Sequence, residues 1–228
     1  MIVTISRQAA TNGGLIGRLV AERLGLRVYD RELVDEIARR LQVDPDIVTP
    51  FDEATLNPVQ SVLWEWRTSV NEQVYARYLR KALKHIHAEG NAVIIGRGAN
   101  FVLHCPHCLH VRIVAPTPLR IAIYRAYFDV SEDEALHRIR EEDKAKARFA
   151  RAIFHESIDD PLHYDLVINL GGVVPETAVD LIARAAEERT RQHLPLEPHS
   201  TLPQHVEIMA RHRRPIHPEI IERYRRIP

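Results

Sequence analysis

The chain has 228 residues, of which 45% are apolar and 27% are charged, as in an ordinary globular protein. Its 31 basic side chains balance its 31 acidic ones, which argues against a dedicated binder of nucleic acids or anionic membranes, since such proteins normally carry a basic surplus. No apolar run approaches the roughly 20 residues of a bilayer-spanning helix, the first residues lack the pattern of a leader segment, and two cysteines are too few for a disulfide framework. We therefore expect a soluble cytoplasmic protein with no nucleic-acid partner and no membrane partner.

Short apolar runs alternate with longer stretches of helical periodicity. Strands are predicted at 2–5, 26–29, 92–95, 111–114 and 166–169, and helices at 14–24, 32–41, 60–89, 118–128, 131–153 and 175–193. Short β-branched strands are typical of a parallel sheet that is buried on both faces. The alternation predicts an α/β fold with three α/β/α layers and a five-stranded parallel sheet.

Two local signals mark helix ends. Gly25 follows the last apolar position of the first helix and is expected to end it. Ser131, with Glu134 three residues later, has the pattern of a capping box and is expected to begin the helix at 131–153.

The composition changes after residue 193. Residues 195–228 hold six prolines, and six arginines against four glutamates give this segment a charge of +2. We interpret it as an arm with a packing or flexible role, and a docking segment for a partner or second subunit is the alternative. Trp64 and Trp66 are two residues apart and cannot share one helix face. Core packing combined with a dimer contact is favoured for them over stacking on a base, so a homodimer is possible.

The loop between the first strand and the first helix is the most informative stretch. Its small residues Ala9, Ala10, Gly13 and Gly14 permit backbone amides to approach a ligand closely, at a helix N-terminus where phosphate-binding loops hold phosphates. The motif G-x-x-x-x-G-K-[ST] is not met. When Asn12-Gly13-Gly14 is aligned with the G-K-[ST] end of that motif, Gly13 takes the lysine position and Gly14 the hydroxyl position. From spacing alone, a generic glycine turn is the alternative.

A C-x-x-C pair, Cys105 and Cys108, precedes the fourth strand. Its spacing fits zinc, but a single pair needs further ligands, and His104, His107 or His110 would have to supply them. We do not favour zinc here and predict no metal site.

Four blocks of sequence follow one another in order. They are Thr4-Ile5-Ser6-Arg7-Gln8 with Asn12-Gly13-Gly14-Leu15-Ile16-Gly17, then Val28-Tyr29-Asp30-Arg31-Glu32-Leu33-Val34, then Val93-Ile94-Ile95-Gly96-Arg97-Gly98-Ala99-Asn100, and finally residues 110–115, 142–148 and 164–169. Together they cover about residues 2–190 and resemble the cytidylate kinase-like family of P-loop nucleoside monophosphate kinases, which also uses Gly-Gly in place of Lys-Ser. The loop departs from that family at Ala9 and Ala10, where the family tends to have an aromatic residue and a glycine.

The resemblance implies a P-loop kinase fold for residues 1–194, apart from the Pro/Arg-rich arm at 195–228. It implies phosphoryl transfer from ATP, with Mg²⁺, to a nucleotide substrate, most directly CMP or dCMP. Such transfer depends on positioning and charge neutralisation. Residues 30–90 would bind the acceptor, and residues 140–158 would form a lid that excludes water.

The resemblance also implies roles for individual residues. The loop residues Ala9, Ala10, Thr11, Asn12, Gly13, Gly14 and Leu15, together with Arg18, would bind ATP. Asp30, Arg31 and Arg97 would bind the acceptor, and the planar guanidinium of Arg97 suits its phosphate. The expected catalytic residues are Arg97, Arg148, Arg151 and Asp143. Arg7 or Arg18 would replace the missing lysine, and for each arginine an ordinary surface charge is the alternative.

Two other functions stay open at this point. A non-catalytic nucleotide-binding or interaction protein could have kept the fold after losing the lysine. A small-molecule kinase with a non-nucleotide acceptor is the weaker possibility.

Overall fold

The computed structural model describes residues 1–30 and 72–192. Its strands are β1 (Ile2–Arg7), β2 (Arg27–Tyr29), β3 (Ala92–Ile95), β4 (Cys108–Val114) and β5 (Leu166–Asn169). Its helices are α1 (Gly13–Leu24), α2 (Glu72–Glu89), α3 (Thr117–Tyr127), α4 (Glu132–Phe154) and α5 (Pro175–Gln192). The predicted helix at 32–41, the first part of the one at 60–89 and the arm lie outside the described residues, as do Arg31, Trp64 and Trp66.

The five strands form one parallel sheet in the order β2-β3-β1-β4-β5, which confirms the predicted fold class. The fourth strand starts three residues earlier than predicted. Cys108 and Leu109 are buried and pair with Ile2 and Val3 of β1, so the ladder begins among the cysteines and histidines that obscured the strand in the sequence.

Alternate residues of the sheet enter two separate cores, as the period of a strand requires. Val3 and Ile5 pack on one face with residues of α1 and α5. Ile2 and Ile94 pack on the other face with Leu83 and further residues of α2. Helices therefore cover both faces, and the three-layer arrangement is confirmed.

Gly17 sets how closely α1 lies on the sheet. A Cβ at this position would lie 2.8 Å from Cδ1 of Ile95 and 3.2 Å from Cδ1 of Ile5. Real Cβ atoms essentially never show a contact of 2.8 Å, and one of 3.2 Å is tighter than most, because protein interiors are already close-packed. The helix can rest on β1 and β3 at this distance only because residue 17 has no side chain.

The two predicted helix ends are confirmed. The N–H of Gly25, in a left-handed conformation, donates to the last carbonyls of α1. The hydroxyl of Ser131 accepts a hydrogen bond from the N–H of Glu134 at 3.2 Å and caps α4. None of the helices in the described ranges is long and apolar enough to cross a membrane.

One half-buried histidine makes the stability of this fold depend on pH. Burial lowers the pKa of His110 to about 4, although the Asp165 carboxylate opposes the shift, and a ring nitrogen of His110 lies 2.8 Å from the hydroxyl of Thr4. The unfolded chain binds a proton on His110 near pH 6.5, whereas the folded protein does not until about pH 4.

We therefore expect the free energy of unfolding to fall by up to about 3 kcal/mol from this group as the pH drops from 7 to 4. Urea denaturation across that range measures the decline. A His110→Gln variant should show a flatter profile, and an equally steep profile would contradict the assignment.

Candidate functional site

The loop that follows β1 spans residues 8–12 and is anchored to β4. The N–H of Gln8 donates to the carbonyl of Ile113 at 3.0 Å, and its side-chain oxygen accepts from the N–H of Ala115 at 3.0 Å. The buried hydroxyl of Thr11 donates to the carbonyl of Gln8 at 3.0 Å. Thr11 thus stabilises the loop from inside.

The backbone of this loop is incompatible with the lysine that the phosphate-binding motif has at position 13. Ala10 and Asn12 have left-handed φ angles of 56° and 53°, which are uncommon for residues other than glycine. A Cβ on Gly13 would lie 2.7 Å from Cβ of Arg7, so this conformation has no room for a side chain at the lysine position. At Gly14 a Cβ would meet only the Arg18 guanidinium, at 3.8 Å. A serine or threonine would fit there.

The amide of Ala9, expected to bind phosphate, is occupied by a carboxylate from α4. Its N–H donates to Oδ1 of Asp143 at 2.7 Å. Nη1 of Arg120, on α3, donates to Oδ2 of the same carboxylate at 2.5 Å and lies 3.4 Å from the carbonyl oxygen of Ala9. Carboxylates and phosphates are both oxyanions that accept from amides and guanidinium groups. The structure therefore brings Asp143 to the loop, where its carboxylate accepts hydrogen bonds from both the Ala9 amide and the Arg120 guanidinium.

Arg120 was missed by sequence reasoning. Its side chain is 9% exposed, and its Nε is buried with no hydrogen-bond partner among the described residues. Arginine is almost never buried unless it is paired or functional. The signal in the sequence was a single arginine in the first turn of a helix that follows a strand, which is too common a pattern to identify a site.

Arg97 lies on the neighbouring strand end in an unusual backbone. Gly96, Arg97 and Gly98 follow β3 with φ angles of 82°, 58° and 62°, so three successive residues are left-handed. The Arg97 guanidinium lies 5.9 Å from the centre of the Phe149 ring of α4, a cation–π distance. Such strain at a residue other than glycine is typical of functional sites. The side chain of Arg7 lies against Gly96, which brings a second guanidinium to this strand end.

Arg112, on β4, is a further residue that the sequence analysis did not select. Its side chain is 5% exposed and donates to the hydroxyl of Ser6 at 2.8 Å and to the carboxylate of Asp159 at 2.7 Å. It also lies 5.7 Å from the centre of the Tyr164 ring. A lone arginine inside the apolar run at 111–114 was the available signal, because a charge in a buried strand needs partners.

Most of the predicted lid, residues 140–158, coincides with the second half of helix α4. Arg148 and Arg151 are exposed on this helix. Lys146, which was not selected, is only half-buried, and its Nζ lies 3.6 Å from a carboxylate oxygen of Glu142. Burial lowers the pKa of Lys146, and the neighbouring charge of Arg7 lowers it further while Glu142 opposes the shift. Lys146 therefore lies within electrostatic range of Arg7.

The remaining predicted residues lie around α1. Leu15 is exposed in the first turn of the helix, and Arg18 follows in the next turn. Nη1 of Arg18 lies 3.7 Å from a carboxylate oxygen of Asp30, and both side chains are exposed. These two predicted residues are therefore neighbours. Arg31 lies outside the described residues.

Several known proteins are similar to this chain in sequence or in structure. An uncharacterised protein from Eubacterium ventriosum shares 24% identity with a TM-score of 0.65, over 82% of this chain and 98% of that one. A shikimate kinase from Bacteroides thetaiotaomicron shares 13% identity with a TM-score of 0.47, over 82% of this chain and 98% of that one. A uronate isomerase from Corynebacterium glutamicum is 28% identical over 107 residues, so the chain spans about a fifth, 21%, of the length of that relative and aligns over 46% of its own.

The sequence matches the cytidylate kinase-like family over residues 2–171, most of the chain. This match confirms the resemblance drawn from the four sequence blocks. The chain therefore belongs to the cytidylate kinase-like family, with a five-stranded parallel sheet and the three-layer fold of P-loop kinases.

Proposed function

We propose that this protein transfers a phosphoryl group from ATP to a nucleoside monophosphate, with CMP and dCMP as the first acceptors to test. The family supports a nucleotide kinase-type function. One observation carries the finer proposal: the guanidinium groups of Arg7, Arg97, Arg112 and Arg120 gather around the carboxyl ends of three adjacent strands. Ligands of open α/β sheets bind at this edge, and four guanidinium groups there favour a polyanion.

On the donor side, ATP would bind at the loop after β1. A phosphate oxygen would take the place of the Asp143 carboxylate on the N–H of Ala9 and on Arg120. Arg120 thereby joins Arg7 and Arg18 as a candidate to replace the missing lysine. Arginine is suited to this role because its donors remain charged at any physiological pH.

Magnesium fits this site only in part. Gly14 offers no hydroxyl, and Asp143 is already engaged by Ala9 and Arg120. Mg²⁺ keeps several waters and binds substrate phosphates readily, so the nucleotide would supply most of its ligands, with Asp143 as the protein ligand at hand. When bound, the ion neutralises charge that develops on the phosphates.

On the acceptor side, Arg97 would hold the monophosphate, and residues 30–90 would select its base. Arg148 and Arg151 would close over the phosphates when the acceptor is bound. We also propose a cytoplasmic location for the enzyme, where it would meet the nucleotide substrates proposed for it.

A second candidate function has a specific observation in its favour. The loop conformation excludes a lysine at position 13, and the Asp143 carboxylate occupies the Ala9 amide. Both features are compatible with a protein that binds nucleotides without turning them over, since such a protein does not need the lysine. Catalysis and binding alone must therefore be separated by experiment.

A coupled assay with purified protein, Mg-ATP and a panel of nucleoside monophosphates tests the two. We expect ADP to form at the highest rate with CMP or dCMP. ATP binding without turnover above background for any acceptor would overturn the kinase proposal and support the binding protein. An Arg7→Ala/Arg18→Ala double variant with unchanged ATP affinity would leave Arg120 as the replacement for the lysine.

The role of Asp143 gives a separate prediction. Asp143→Asn removes the negative charge that faces the bound phosphates and that holds Arg120. We expect ATP, titrated by calorimetry without Mg²⁺, to bind roughly fivefold more tightly, equivalent to about 1 kcal/mol for a partly exposed charge.

Asp133→Asn is the matched control for that measurement, because it makes the same charge change in the first turn of α4. It should leave ATP affinity unchanged. Weaker binding to the Asp143→Asn protein would show that the carboxylate supports the nucleotide instead of competing with it.

A further inference from the structure

The two cysteines lie at the opposite edge of the sheet from the loop. Cys108 begins β4 and is paired with Ile2 at the start of β1. Cys105 and Cys108 are joined in a disulfide, with their Cα atoms 5.1 Å apart. The last turn of α2 places His87 beside them, so that a ring nitrogen of His87 and both sulfur atoms lie within 4.8 Å of one another. The kinase proposal assigns no role to this group.

The histidine that converges with the cysteines is distant from them in the sequence. His104, His107 and His110 are neighbours of the cysteines in the chain, but the group that converges in the described part of the structure contains His87 instead. A residue that is 18 positions before Cys105 in the sequence reaches it because α2 packs across the sheet and ends there.

We propose that, once the disulfide is reduced, Cys105, Cys108 and His87 bind a thiophilic divalent cation of the Zn²⁺ class. Two sulfurs and an imidazole are ligands that this class prefers. Donor atoms about 2.0–2.3 Å from a tetrahedral zinc ion lie roughly 3.3–3.8 Å from one another. Donors that already lie within 4.8 Å therefore need only side-chain adjustments to reach that geometry.

The burial of the three residues leaves a route for the cation. Cys108 is buried, Cys105 is half-buried and His87 is exposed. The cation would enter from the side of His87, and a water molecule would complete the four-coordinate shell on that side. The bound ion would link α2 to the beginning of β4, a link that the disulfide between residues 105 and 108 does not provide.

The change is a two-electron reduction of the disulfide, by exchange with a dithiol or by attack of a phosphine that water then converts to the phosphine oxide. A dithiol or phosphine reductant supplies two electrons to the Cys105–Cys108 bond, the S–S bond breaks, and two protons from solvent or reductant complete two thiols while the reductant is oxidised. Each thiol then releases its proton as its sulfur binds the cation. The oxidised pair has no thiolate to offer, so the site exists only in the reduced protein.

Cobalt titration of the full chain, without an added histidine tag, tests the proposal. The protein is reduced with a phosphine in the absence of oxygen, and thiolate-to-cobalt charge-transfer absorption is followed. The chain has only two cysteines, so this band reports the Cys105–Cys108 pair alone. We expect one Co²⁺ per chain, displacement by Zn²⁺, and loss of the band in Cys105→Ser.

The matched pair of histidine variants decides the role of His87. His87→Ala should weaken Co²⁺ binding by more than the roughly 10–100-fold that loss of an outer-shell partner costs. His85→Ala, two residues earlier on the same helix and 3.3 Å from Glu89, should bind like the parent protein. Absence of the band in the reduced parent protein, whether folded or not by circular dichroism, would overturn the proposal, as would a His87→Ala variant that titrates like the parent. The test uses no nucleotide, so its outcome is independent of the kinase assay.

Discussion

Arg97→Ala is expected to lower kcat/KM for the nucleoside monophosphate by about 100–1,000-fold, the usual cost of removing one preorganised donor from an anion site. The left-handed backbone at residues 96–98 and the ring of Phe149 hold the guanidinium in place before any ligand arrives. That preorganisation is lost with the side chain. Steady-state kinetics with ATP saturating and the acceptor varied measures the loss.

Arg97→Lys is the control for charge in that experiment. Lysine keeps the positive charge but not the planar pair of donors, so this variant should fall between the parent and Arg97→Ala. ATP affinity, measured without acceptor, should be unchanged in both variants. If Arg97→Ala retains the parent's kcat/KM, the acceptor phosphate binds elsewhere.

Gly98→Ala is expected to lower the free energy of unfolding by about 3 kcal/mol. Part of the loss comes from the left-handed φ of 62°, which costs an L-residue about 1–2 kcal/mol. The rest comes from overpacking, typically about 1–3 kcal/mol, since a Cβ here would overlap the ring of Phe154 and lie 2.6 Å from its Cζ. Denaturant unfolding at constant pH measures the change.

Gly90→Ala separates these two contributions. Gly90 has a similar φ of 70°, but a Cβ there would meet nothing within 4 Å. This variant should therefore lose only the conformational share, about 1–2 kcal/mol. If both variants lost the same free energy of unfolding, the C-terminal end of α4, which carries Phe154, would be able to move away from residue 98 at no energetic cost.

Much of the fold could be predicted because hydrophobic periodicity reports on local structure. Five short β-branched runs became the five parallel strands, and the capping pattern at Ser131 marked the start of α4. The start of β4 could not be predicted from the sequence, because Cys108 stands among histidines and not in an apolar run. Its burial became apparent only in the structure. Local patterns fail where tertiary contacts decide the assignment.

The site was harder to predict for a physical reason. Arg97 could be selected because it sits between two glycines directly after a strand, and Asp143 because the resemblance placed it in the lid. Arg112 and Arg120 stand out only because they are buried, and burial depends on residues far away in the sequence. Arg112 donates to Ser6 on the neighbouring strand, and Arg120, on α3, contacts Ala9 in the loop. Contacts of this kind cannot be predicted from the spacing of residues along the chain. The proximity of His87 to the two cysteines is another such contact.

The missing side chain at Gly17 determines which parts of the anion site can adapt. Because even a single Cβ at position 17 would overlap Ile95, α1 lies closely against β1 and β3, and the amide groups at its N-terminus are set by that packing. If phosphate binds at this loop as we propose, adjustment to it would come from the other side, where α3 carries Arg120 and α4 carries Asp143. On that proposal, α1 would act as the fixed support of the site, and the two helices that follow β4 would supply the part that moves.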